Sequence, residues 1–373
     1  MRCTVKHSSG DTGDVRTVIA DVRTLAYPLT GIGRYVYELL TRLISRSNAE
    51  WLCLSPRPIP PSMKSKFPTH VRWVEGVEGQ RAEWWTQRQA ARAVRAHPGA
   101  LFLGLCNSLP LFTPASCECA MVVYDLCFFI VPRLTHPKDL LKGFLITLPA
   151  MRRADRILAI SPEVRDELHR YVPRTRGRTA VLPPGGTRFD GPSRLPFPDR
   201  RGFLAVGAHR RKNTDLLLTA YALLPEALRA SHPLNVLARE IPPALERKVK
   251  RLGIGDDVRV VPDAGDEELG HFYSSAVALV FPSAYEGLGL PVTEAMLVGL
   301  PSIVMRRSPM ARLVGGGGIL LGAPEPGELS AAMWELTKDE QSWEMRSAAA
   351  LAASGDISWD RVADGAAEAL GLR

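Results

Sequence analysis

The segment PSAYEGLGLPVTE, residues 282–294, contains two glutamates whose spacing suits a ligand site. The apolar run before it, residues 276–281, predicts a strand buried on both faces of a parallel sheet. Pro291 is typical of the first residue of a helix, and a helical pattern follows it. Glu286 is therefore predicted in the loop at the carboxyl end of a strand, and Glu294 one turn inside the next helix. In open α/β sheets, ligands bind at this edge.

A cluster of cations follows another predicted strand. Residues 206–213 read VGAHRRKN, which places Arg210, Arg211 and Lys212 after the strand and before a helix. An arginine can bind a phosphate through two parallel hydrogen bonds and a lysine acts as a point charge, so the cluster can neutralise a diphosphate without a metal ion. A solvated turn would explain the cluster alone. Together with the glutamate loop, the cluster favours a diphosphate-linked ligand.

A glycine turn opens the first long helical pattern. Gly31 and Gly33 stand where the chain leaves its first predicted strand, and glycines let backbone N–H groups approach a ligand closely at a helix N-terminus. The full dinucleotide-binding fingerprint is absent, because Val36 stands where a third glycine is expected. A tight turn without a ligand therefore remains an alternative.

Two sheets are needed to position these residues. Short apolar runs alternate with helical patterns, which predicts an α/β protein with two Rossmann-like, doubly wound domains facing a cleft. The predicted strands are residues 17–20, 101–105, 120–124 and 156–160 in the first domain, and 202–206, 234–238, 258–261, 276–281, 302–304 and 318–321 in the second. Helical spacing of apolar residues predicts an amphipathic helix after the first strand, with the stripe Ile32, Tyr35, Val36, Leu39, Leu40, Leu43 and Ile44.

A proline-rich stretch, residues 191–198, predicts the linker between the domains. The first domain is then predicted at residues 15–192 and the second at 200–357, after a polar segment at residues 1–14. A chain of 373 residues with 46% apolar content can fill two cores. The start has no signal-peptide core and no apolar run is long enough to span a membrane, which predicts a cytoplasmic protein. The six cysteines show no metal-ligand spacing, so free thiols and no metal site are expected.

Positive charge is concentrated in the first half of the chain. Up to residue 190 there are 27 lysines and arginines against 16 aspartates and glutamates, whereas the net charge of the whole chain is +8. No basic motif interleaved with aromatic residues accompanies this charge, so nucleic acid is not a predicted partner. The remaining alternatives are a phosphate-bearing acceptor, a solvated basic face, and peripheral contact with the anionic inner face of the cytoplasmic membrane. For that last alternative, residues 140–153 are the candidate segment.

The chain resembles the retaining glycosyltransferases of family 4 from about residue 17 to its end. Residues 286–294 (EGLGLPVTE) look like the paired-glutamate motif of that family, and residues 211–213 (RKN) look like its phosphate-binding motif. Residues 31–35 (GIGRY) are similar to its first loop, and Ser358-Trp359 resembles the motif before its last helix. The resemblance implies the architecture called GT-B, in which the last helix, here residues 358–373, crosses back to the first domain.

The resemblance also implies roles for these residues. The donor would be a nucleoside diphosphate sugar bound mainly to the second domain, with no metal or other cofactor. Arg211 and Lys212 would hold the diphosphate, Glu294 would accept hydrogen bonds from the ribose hydroxyls, and Glu286 would face the sugar. The glycine turn between the glutamates would bind anionic oxygen through its N–H groups. The remaining donor-binding candidates are Gly31, Gly33, Arg210, Asn213, Gly287, Leu288, Gly289 and Leu290.

Two positions depart from the family pattern. Tyr124-Asp125 stands where many family members have histidine and aspartate near the donor sugar, which makes both residues candidates for the catalytic site. A phenol can hydrogen-bond but is not a base near neutral pH. Its bulk beside the exocyclic carbon of the sugar is expected to favour a deoxy sugar. Met310-Ala311 stands where the family often has a glutamate.

The predicted activity is hexose transfer onto a glycan or lipid-linked glycan in polysaccharide synthesis. Family members with the GIGRY sequence often resemble mannosyl and rhamnosyl transferases, so a guanosine diphosphate sugar of mannose, or of a deoxy relative such as rhamnose, is the first expectation for the donor. Two alternatives remain open. One is a non-catalytic partner that keeps the nucleotide site, and the other is a sugar-nucleotide epimerase, which needs no separate acceptor.

Overall fold

The structure is a computed structural model that describes residues 15–29, 31–79, 82–111, 114, 116–187, 195–238, 242–262 and 264–373. In the described chain, strands form two parallel sheets, and the first has the order β3-β2-β1-β4-β5-β6-β7. Its strands are β1 (Thr17–Asp21), β2 (Glu50–Ser55), β3 (Arg72–Glu75), β4 (Leu101–Gly104), β5 (Glu118–Val123), β6 (Arg156–Ala159) and β7 (Thr179–Val181).

The second sheet repeats this winding with the order β10-β9-β8-β11-β12-β13. Its strands are β8 (Phe203–Val206), β9 (Leu234–Leu237), β10 (Val258–Val261), β11 (Ala278–Phe281), β12 (Ser302–Met305) and β13 (Gly318–Leu321). Separate apolar clusters, one containing Phe203 and Val280 and the other Leu204 and Leu279, pack around this sheet. Successive strand residues thus enter different clusters, as expected for a sheet that is buried on both faces.

Helices connect the strands of both sheets. In the first half of the chain they are α1 (Gly31–Arg46), α2 (Pro61–Lys64), α3 (Ala82–Ala96), α4 (Cys127–Ile130), α5 (Pro137–Lys142), α6 (Leu148–Arg153) and α7 (Pro162–Tyr171). A π-helical turn, Gly143–Thr147, joins α5 to α6. The others are α8 (Thr214–Ala222), α9 (Glu226–Ser231), α10 (Pro243–Leu252), α11 (Asp266–Ser275), α12 (Leu290–Leu297), α13 (Met310–Val314), α14 (Pro326–Lys338), α15 (Glu340–Ala353) and α16 (Trp359–Leu370).

The predicted doubly wound architecture is confirmed, and each predicted strand overlaps a strand of the structure. Strands β2, β3 and β7 were not predicted. β3 reads RWVE and β7 has three residues, TAV, so neither contains an apolar run long enough to stand out. The apolar stripe of α1 is buried as expected except for Ile32, which is 37% exposed.

The last helix packs against the first domain. Trp359 is buried in the core of that domain, where its ring lies 5.4 Å from the ring of Tyr35 in an edge-on contact. A β-carbon at Gly185 would lie 2.4 Å from the backbone nitrogen of Trp359, so the chain passes directly over the start of α16. Arg46 of α1 pairs with Asp360 on the surface. The N-cap of α16 is the side chain of Ser358, which accepts from the N–H of Asp360.

Part of the predicted linker, residues 191–194, lies outside the described residues. Phe197, at its other end, begins a short 3₁₀ turn, and its ring lies 5.6 Å from that of Trp343. The end of the stretch is therefore anchored to the second core rather than extended between the domains. In the described parts of the chain, no helix combines the length and the apolar content that a membrane span requires.

Candidate active site

The glutamate loop and the cation cluster lie side by side at the carboxyl edge of the second sheet. The cluster follows β8 and the loop follows β11, and these two strands pair directly. The N–H of Ala284 donates to the carbonyl of Arg211 at 2.8 Å, and the Asn213 amide donates to the carbonyl of Pro282 at 2.8 Å. Because the winding reverses between β8 and β11, the two loops occupy the place where doubly wound sheets bind ligands.

These contacts divide the cation cluster by role. Asn213 has a left-handed backbone, with φ 53°, and its side chain links the two loops. Arg210 is exposed at the start of the turn. Arg211 and Lys212 are the members of the cluster that reach carboxylates of the predicted site.

Lys212 and Glu286 form a close charge pair. The lysine Nζ lies 2.7 Å from the glutamate Oε1 and 4.1 Å from the centre of the Phe281 ring. Only 20% of the lysine side chain and 15% of the glutamate side chain are exposed. Charges in such a setting interact more strongly with a third group than they would in water.

Arg211 reaches from the second domain to the first. Its Nη1 atom lies 3.3 Å from Oδ2 of Asp125, which follows β5 at the carboxyl edge of the first sheet. The other carboxylate oxygen of Asp125 accepts from the N–H of Cys127 at 3.1 Å. The predicted catalytic candidates Asp125, Arg211, Lys212 and Glu286 are thus brought together at one place between the two sheets.

The glutamate loop is docked on the first domain at Gly287. A β-carbon at Gly287 would lie 1.8 Å from the carbonyl oxygen of Tyr124, a separation that no side chain can occupy. The Ser161 hydroxyl donates to the carbonyl of Gly287 at 2.7 Å. Leu288, the next residue, is buried in the core of the first domain. A glycine is required here because the backbones of the two domains touch.

Tyr285 forms a second link between the domains. Its hydroxyl donates to Oε2 of Glu167 at 2.6 Å and accepts from the N–H of Leu126 at 3.0 Å. Burial raises the pKa of both the Tyr285 phenol and the Glu167 carboxyl. Tyr285 directly precedes Glu286, and Leu126 directly follows Asp125. The hydrogen bond between them therefore connects the backbone beside one catalytic candidate to the backbone beside the other. The sequence did not predict this contact. The only signal for it in the sequence was that Tyr285 is adjacent to Glu286.

The glycine turn presents backbone N–H groups at the start of α12. Gly289 has φ 99°, and a β-carbon there would lie 2.6 Å from the sulfur of Met310. The helix begins at Leu290, so Pro291 is its second residue rather than its first. No described residue accepts a backbone hydrogen bond from Leu288, Gly289 or Leu290. These donors suit an anion, as predicted.

The first-domain glycines differ from one another. A β-carbon at Gly31 would lie 3.7 Å from the side chain of Leu290, so the start of α1 faces the glutamate loop across the cleft. Gly33 packs inside the first domain, where a β-carbon would lie 3.5 Å from the carbonyl oxygen of Thr24. Gly31 thus lies beside the predicted site, whereas Gly33 allows α1 to pack closely on its own domain.

Glu294 lies in α12 within a group that sequence reasoning did not identify. The Tyr273 hydroxyl donates to its Oε2 at 2.7 Å. Burial raises the pKa of Glu294 to about 7, and Arg34 of the first domain acts in the opposite direction. Arg34 itself crosses the cleft to Asp266, with Nη1 3.1 Å from Oδ2. Arg34 was visible in the sequence as part of GIGRY, but its partner is 232 residues away.

The structure corrects the role predicted for the Tyr124 side chain. Its hydroxyl donates to the carbonyl of Leu105 at 3.0 Å, and its ring meets that of Tyr35 edge-on at 5.3 Å. The side chain is 6% exposed and belongs to the first core, so it does not crowd a sugar in the cleft. At this position it is the backbone carbonyl that faces the glutamate loop. The expected preference for a deoxy sugar therefore loses its physical reason.

Within the described residues, no group of three or more histidine, cysteine, aspartate and glutamate side chains is arranged to hold a metal ion. Five cysteines there are free thiols. Two of them, Cys117 and Cys119, have sulfur atoms 3.9 Å apart, and they lie at the amino end of β5, away from the carboxyl edge.

Comparison with known proteins gives consistent similarities. Residues 192–353 match the family of group 1 glycosyl transferases. The chain is 28% identical over 372 residues to O-antigen chain mannosyltransferase B of Escherichia coli, in an alignment that covers 92% of this chain and 96% of that protein. It is 31% identical over 239 residues to D-inositol 3-phosphate glycosyltransferase of Streptomyces avermitilis, which covers 58% of this chain and 51% of that one. This chain thus spans about half of the second relative.

Solved structures resemble the chain over nearly its whole length. WaaG, a glycosyltransferase involved in lipopolysaccharide biosynthesis, superposes with a TM-score of 0.74 at 15% identity, covering 94% of this chain and 98% of WaaG. HepE of Anabaena, solved in complex with UDP and glucose, gives 0.71 at 16% identity, covering 96% of this chain and all of that one. At such identities the likeness concerns the fold alone.

Proposed function

Because the chain belongs to the group 1 glycosyl transferases of family 4 and has the GT-B fold, we propose that it transfers a hexose from a nucleoside diphosphate sugar to a glycan or lipid-linked glycan, with retention of anomeric configuration. The observation that carries this proposal is the meeting of Arg211, Lys212, Glu286 and Asp125 between the two sheets. Two cations and two carboxylates at one point suit a ligand that has both a diphosphate and hydroxyl groups.

The donor would lie along the carboxyl edge of the second sheet. Arg211 and Lys212 would bind the diphosphate. The N–H groups at the start of α12, which donate to no residue that the structure describes, would bind an anionic oxygen. Glu286 would accept hydrogen bonds from the sugar, and Glu294 from the ribose. Gly31 would let the start of α1 approach the donor from the first domain, with its helix N-terminus turned to the cleft.

The chemical step would be a front-face displacement in which a departing phosphate oxygen helps to deprotonate the acceptor hydroxyl. The protein would contribute positioning and electrostatic stabilisation of the leaving diphosphate. Asp125 and Glu286 hold Arg211 and Lys212 at the site before the donor binds, so both cations would already lie close to the charge that develops on the leaving group.

Mannose from guanosine diphosphate mannose is the proposed transferred sugar. It is supported by the end-to-end alignment with an O-antigen chain mannosyltransferase, and by a shorter alignment, 26% identical over 260 residues, with the serotype-specific mannosyltransferase WbdA of Escherichia coli. The same two similarities support a place in polysaccharide synthesis. A deoxy relative such as rhamnose is the second candidate for the sugar.

A panel of sugar nucleotides tests this function. The protein is incubated with guanosine diphosphate mannose or uridine diphosphate glucose, with and without glycan acceptors, and the nucleotide and sugar products are identified. Release of guanosine diphosphate with an α-linked mannoside is expected, since the anomeric configuration of the donor is kept. A changed sugar in the nucleotide pool would instead identify an epimerase, and tight binding without turnover would identify a non-catalytic partner.

The affinity for the sugar nucleotide is expected to rise with pH around neutrality. The pKa of Glu294 is about 7 without donor, so the carboxyl is protonated below that pH and ionised above it. An ionised carboxylate accepts a hydrogen bond from a ribose hydroxyl more strongly, by about 1 kcal/mol or roughly fivefold in affinity. Binding measured on both sides of this pH should show the rise in the wild type and lose it in Glu294→Gln. An equal pH dependence in the two proteins would show that Glu294 does not touch the nucleotide.

A further inference from the structure

Helix α7 packs on the first core with one face and meets the second domain with another. It follows β6 at the carboxyl edge of the first sheet, and its side chains Val164 and Leu168 are buried in the first core. Glu163 and Glu167 are four residues apart in the helix, so they lie on one face of it. Each of these two glutamates contacts a residue of the second domain.

The two contacts differ in burial. Glu163 Oε1 lies 2.7 Å from Nη2 of Arg312, whose side chain is 72% exposed, and an ion pair in water contributes little to stability. The Tyr285 hydroxyl donates to Glu167 Oε2 at 2.6 Å, and Tyr285 is only 6% exposed. A buried hydrogen bond is costly to lose, because the partner that remains is cut off from water. The bond between Glu167 and Tyr285 is therefore the one that can hold the two domains in register.

Tyr285 connects this bond to the candidate active site. Its hydroxyl accepts from the N–H of Leu126, which is fully buried and directly follows Asp125. Tyr285 itself directly precedes Glu286. Burial raises the pKa of the Glu167 carboxyl, the bond from Tyr285 lowers it, and the nearby charge of Asp125 raises it again. A displacement of the phenol would thus be felt on both sides of the cleft.

We propose that Glu167 is a positioning residue of the transfer reaction, because it holds Tyr285 and so fixes Glu286 relative to Asp125. This role rests on the proposed function. Transfer across the cleft needs groups of the two domains at a fixed separation, and small displacements of catalytic groups are costly. A helix holds a position more precisely than a loop does, so α7 is a suitable anchor for the glutamate loop. Glu167 acts through the tyrosine rather than on the donor.

Steady-state kinetics of transfer tests this role. Glu167→Ala is expected to lower kcat about tenfold, because the loop loses its anchor. The KM for the sugar nucleotide should stay within about twofold, since Arg211, Lys212 and Glu294 are unchanged. Glu167→Gln keeps an oxygen that can accept from the phenol, so its kcat should lie within about threefold of the wild type. A rise in KM alone, or a glutamine variant as slow as the alanine variant, would contradict the role.

A double-mutant cycle shows whether Glu167 works through Tyr285. Tyr285→Phe keeps the ring and removes the hydroxyl, so its kcat should fall at least as far as that of Glu167→Ala. The double variant Tyr285→Phe/Glu167→Ala should be no slower than Tyr285→Phe, because Glu167 then has no hydroxyl to hold. Losses that multiply would show that Glu167 acts independently of the tyrosine and would overturn the proposal.

Asp166→Ala is the matched control. Asp166 is the neighbour of Glu167 on α7, its side chain is 67% exposed, and it pairs with Arg165 beside it. This variant should keep the wild-type kcat and the wild-type midpoint of thermal unfolding. If Glu167→Ala does not fold, Glu167→Met takes its place in every measurement, because methionine fills a similar volume without an acceptor oxygen.

Amide hydrogen exchange tests the same contact without any substrate. The exchange of the Leu126 N–H is expected to become at least about tenfold faster in Tyr285→Phe and in Glu167→Ala, and to stay unchanged in Asp166→Ala. The N–H of Leu279, which is bonded within the second sheet, should exchange as in the wild type in all of them. Wild-type exchange of Leu126 in Glu167→Ala would refute the anchoring. Faster exchange in a protein that transfers no sugar would confirm the anchoring and remove the transferase proposal alone.

Discussion

Replacing Lys212 by alanine is expected to weaken the binding of a nucleoside diphosphate by about 1.5–3 kcal/mol, or roughly 10- to 150-fold. The variant loses a charge-assisted bond to the diphosphate, and it also leaves Glu286, whose side chain is 15% exposed, without the cation that lies 2.7 Å away. The uncompensated carboxylate would repel the incoming anion. Arg211→Ala should act in the same direction, since Asp125 then loses its own cationic partner.

The measurement is calorimetric titration of each variant with guanosine diphosphate. Lys338→Ala is the matched control, because Lys338 ends α14 and its Nζ lies over the ring of Trp334 rather than at the cleft. It removes the same charge and should leave the affinity within error of the wild type. Unchanged affinity in both the Lys212 and the Arg211 variants would show that the diphosphate binds elsewhere.

Gly287→Ala is expected to lower the rate of sugar transfer about 100-fold, because a shift of the order of 1 Å in a catalytic group can cost that much. The added methyl group would lie 1.8 Å from the carbonyl of Tyr124, and backbone cannot yield as a flexible side chain can. The loop must therefore move away from the first domain, and it carries Glu286 with it.

Gly327→Ala provides the comparison for this variant. Gly327 lies in the first turn of α14, and a β-carbon there meets nothing within 4 Å. Its transfer rate should equal that of the wild type, and its stability should be equal or slightly higher because alanine favours helix. Thermal unfolding of both variants separates a displaced loop from an unfolded chain. A Gly287→Ala enzyme with the wild-type rate would mean that the contact between the domains has no part in catalysis.

Much of the fold could be predicted from the sequence, because buried parallel strands leave continuous apolar runs. The run at residues 276–281 contains β11, and the stripe on α1, apart from Ile32, is buried in the first core. The GT-B architecture, predicted by resemblance, is confirmed, and residues 192–353 match the predicted family. Strand β3 was not predicted because charged residues flank its two central residues. It lies at the edge of the sheet, where a strand needs less apolar surface than a central one.

The residues of the candidate site could be predicted where each belongs to a recognisable motif, whereas contacts with residues outside those motifs could not. The pairing of Lys212 with Glu286 brings together two quoted motifs, whereas Tyr285 with Glu167 and Arg34 with Asp266 join segments that no local pattern connects. At Tyr124 a motif was recognised, but the direction of its side chain was predicted wrongly. Its place in the family pattern indicated a cleft residue, yet its side chain turns into the core and hydrogen-bonds to Leu105. Side-chain direction depends on the tertiary surroundings, which spacing in the sequence does not encode.

The two ion pairs of the proposed donor site make binding an exchange of partners. Lys212 is matched with Glu286 and Arg211 with Asp125, so a diphosphate has to replace carboxylates that are already in contact with the cations. The net affinity is then the difference between two sets of ion pairs and is smaller than the contacts with the diphosphate alone would give. An anion too short to reach both cations leaves one pair intact, so inorganic phosphate competes poorly with a diphosphate. Once the donor is bound, each displaced carboxylate can accept a hydrogen bond from a hydroxyl group of the sugar or the acceptor.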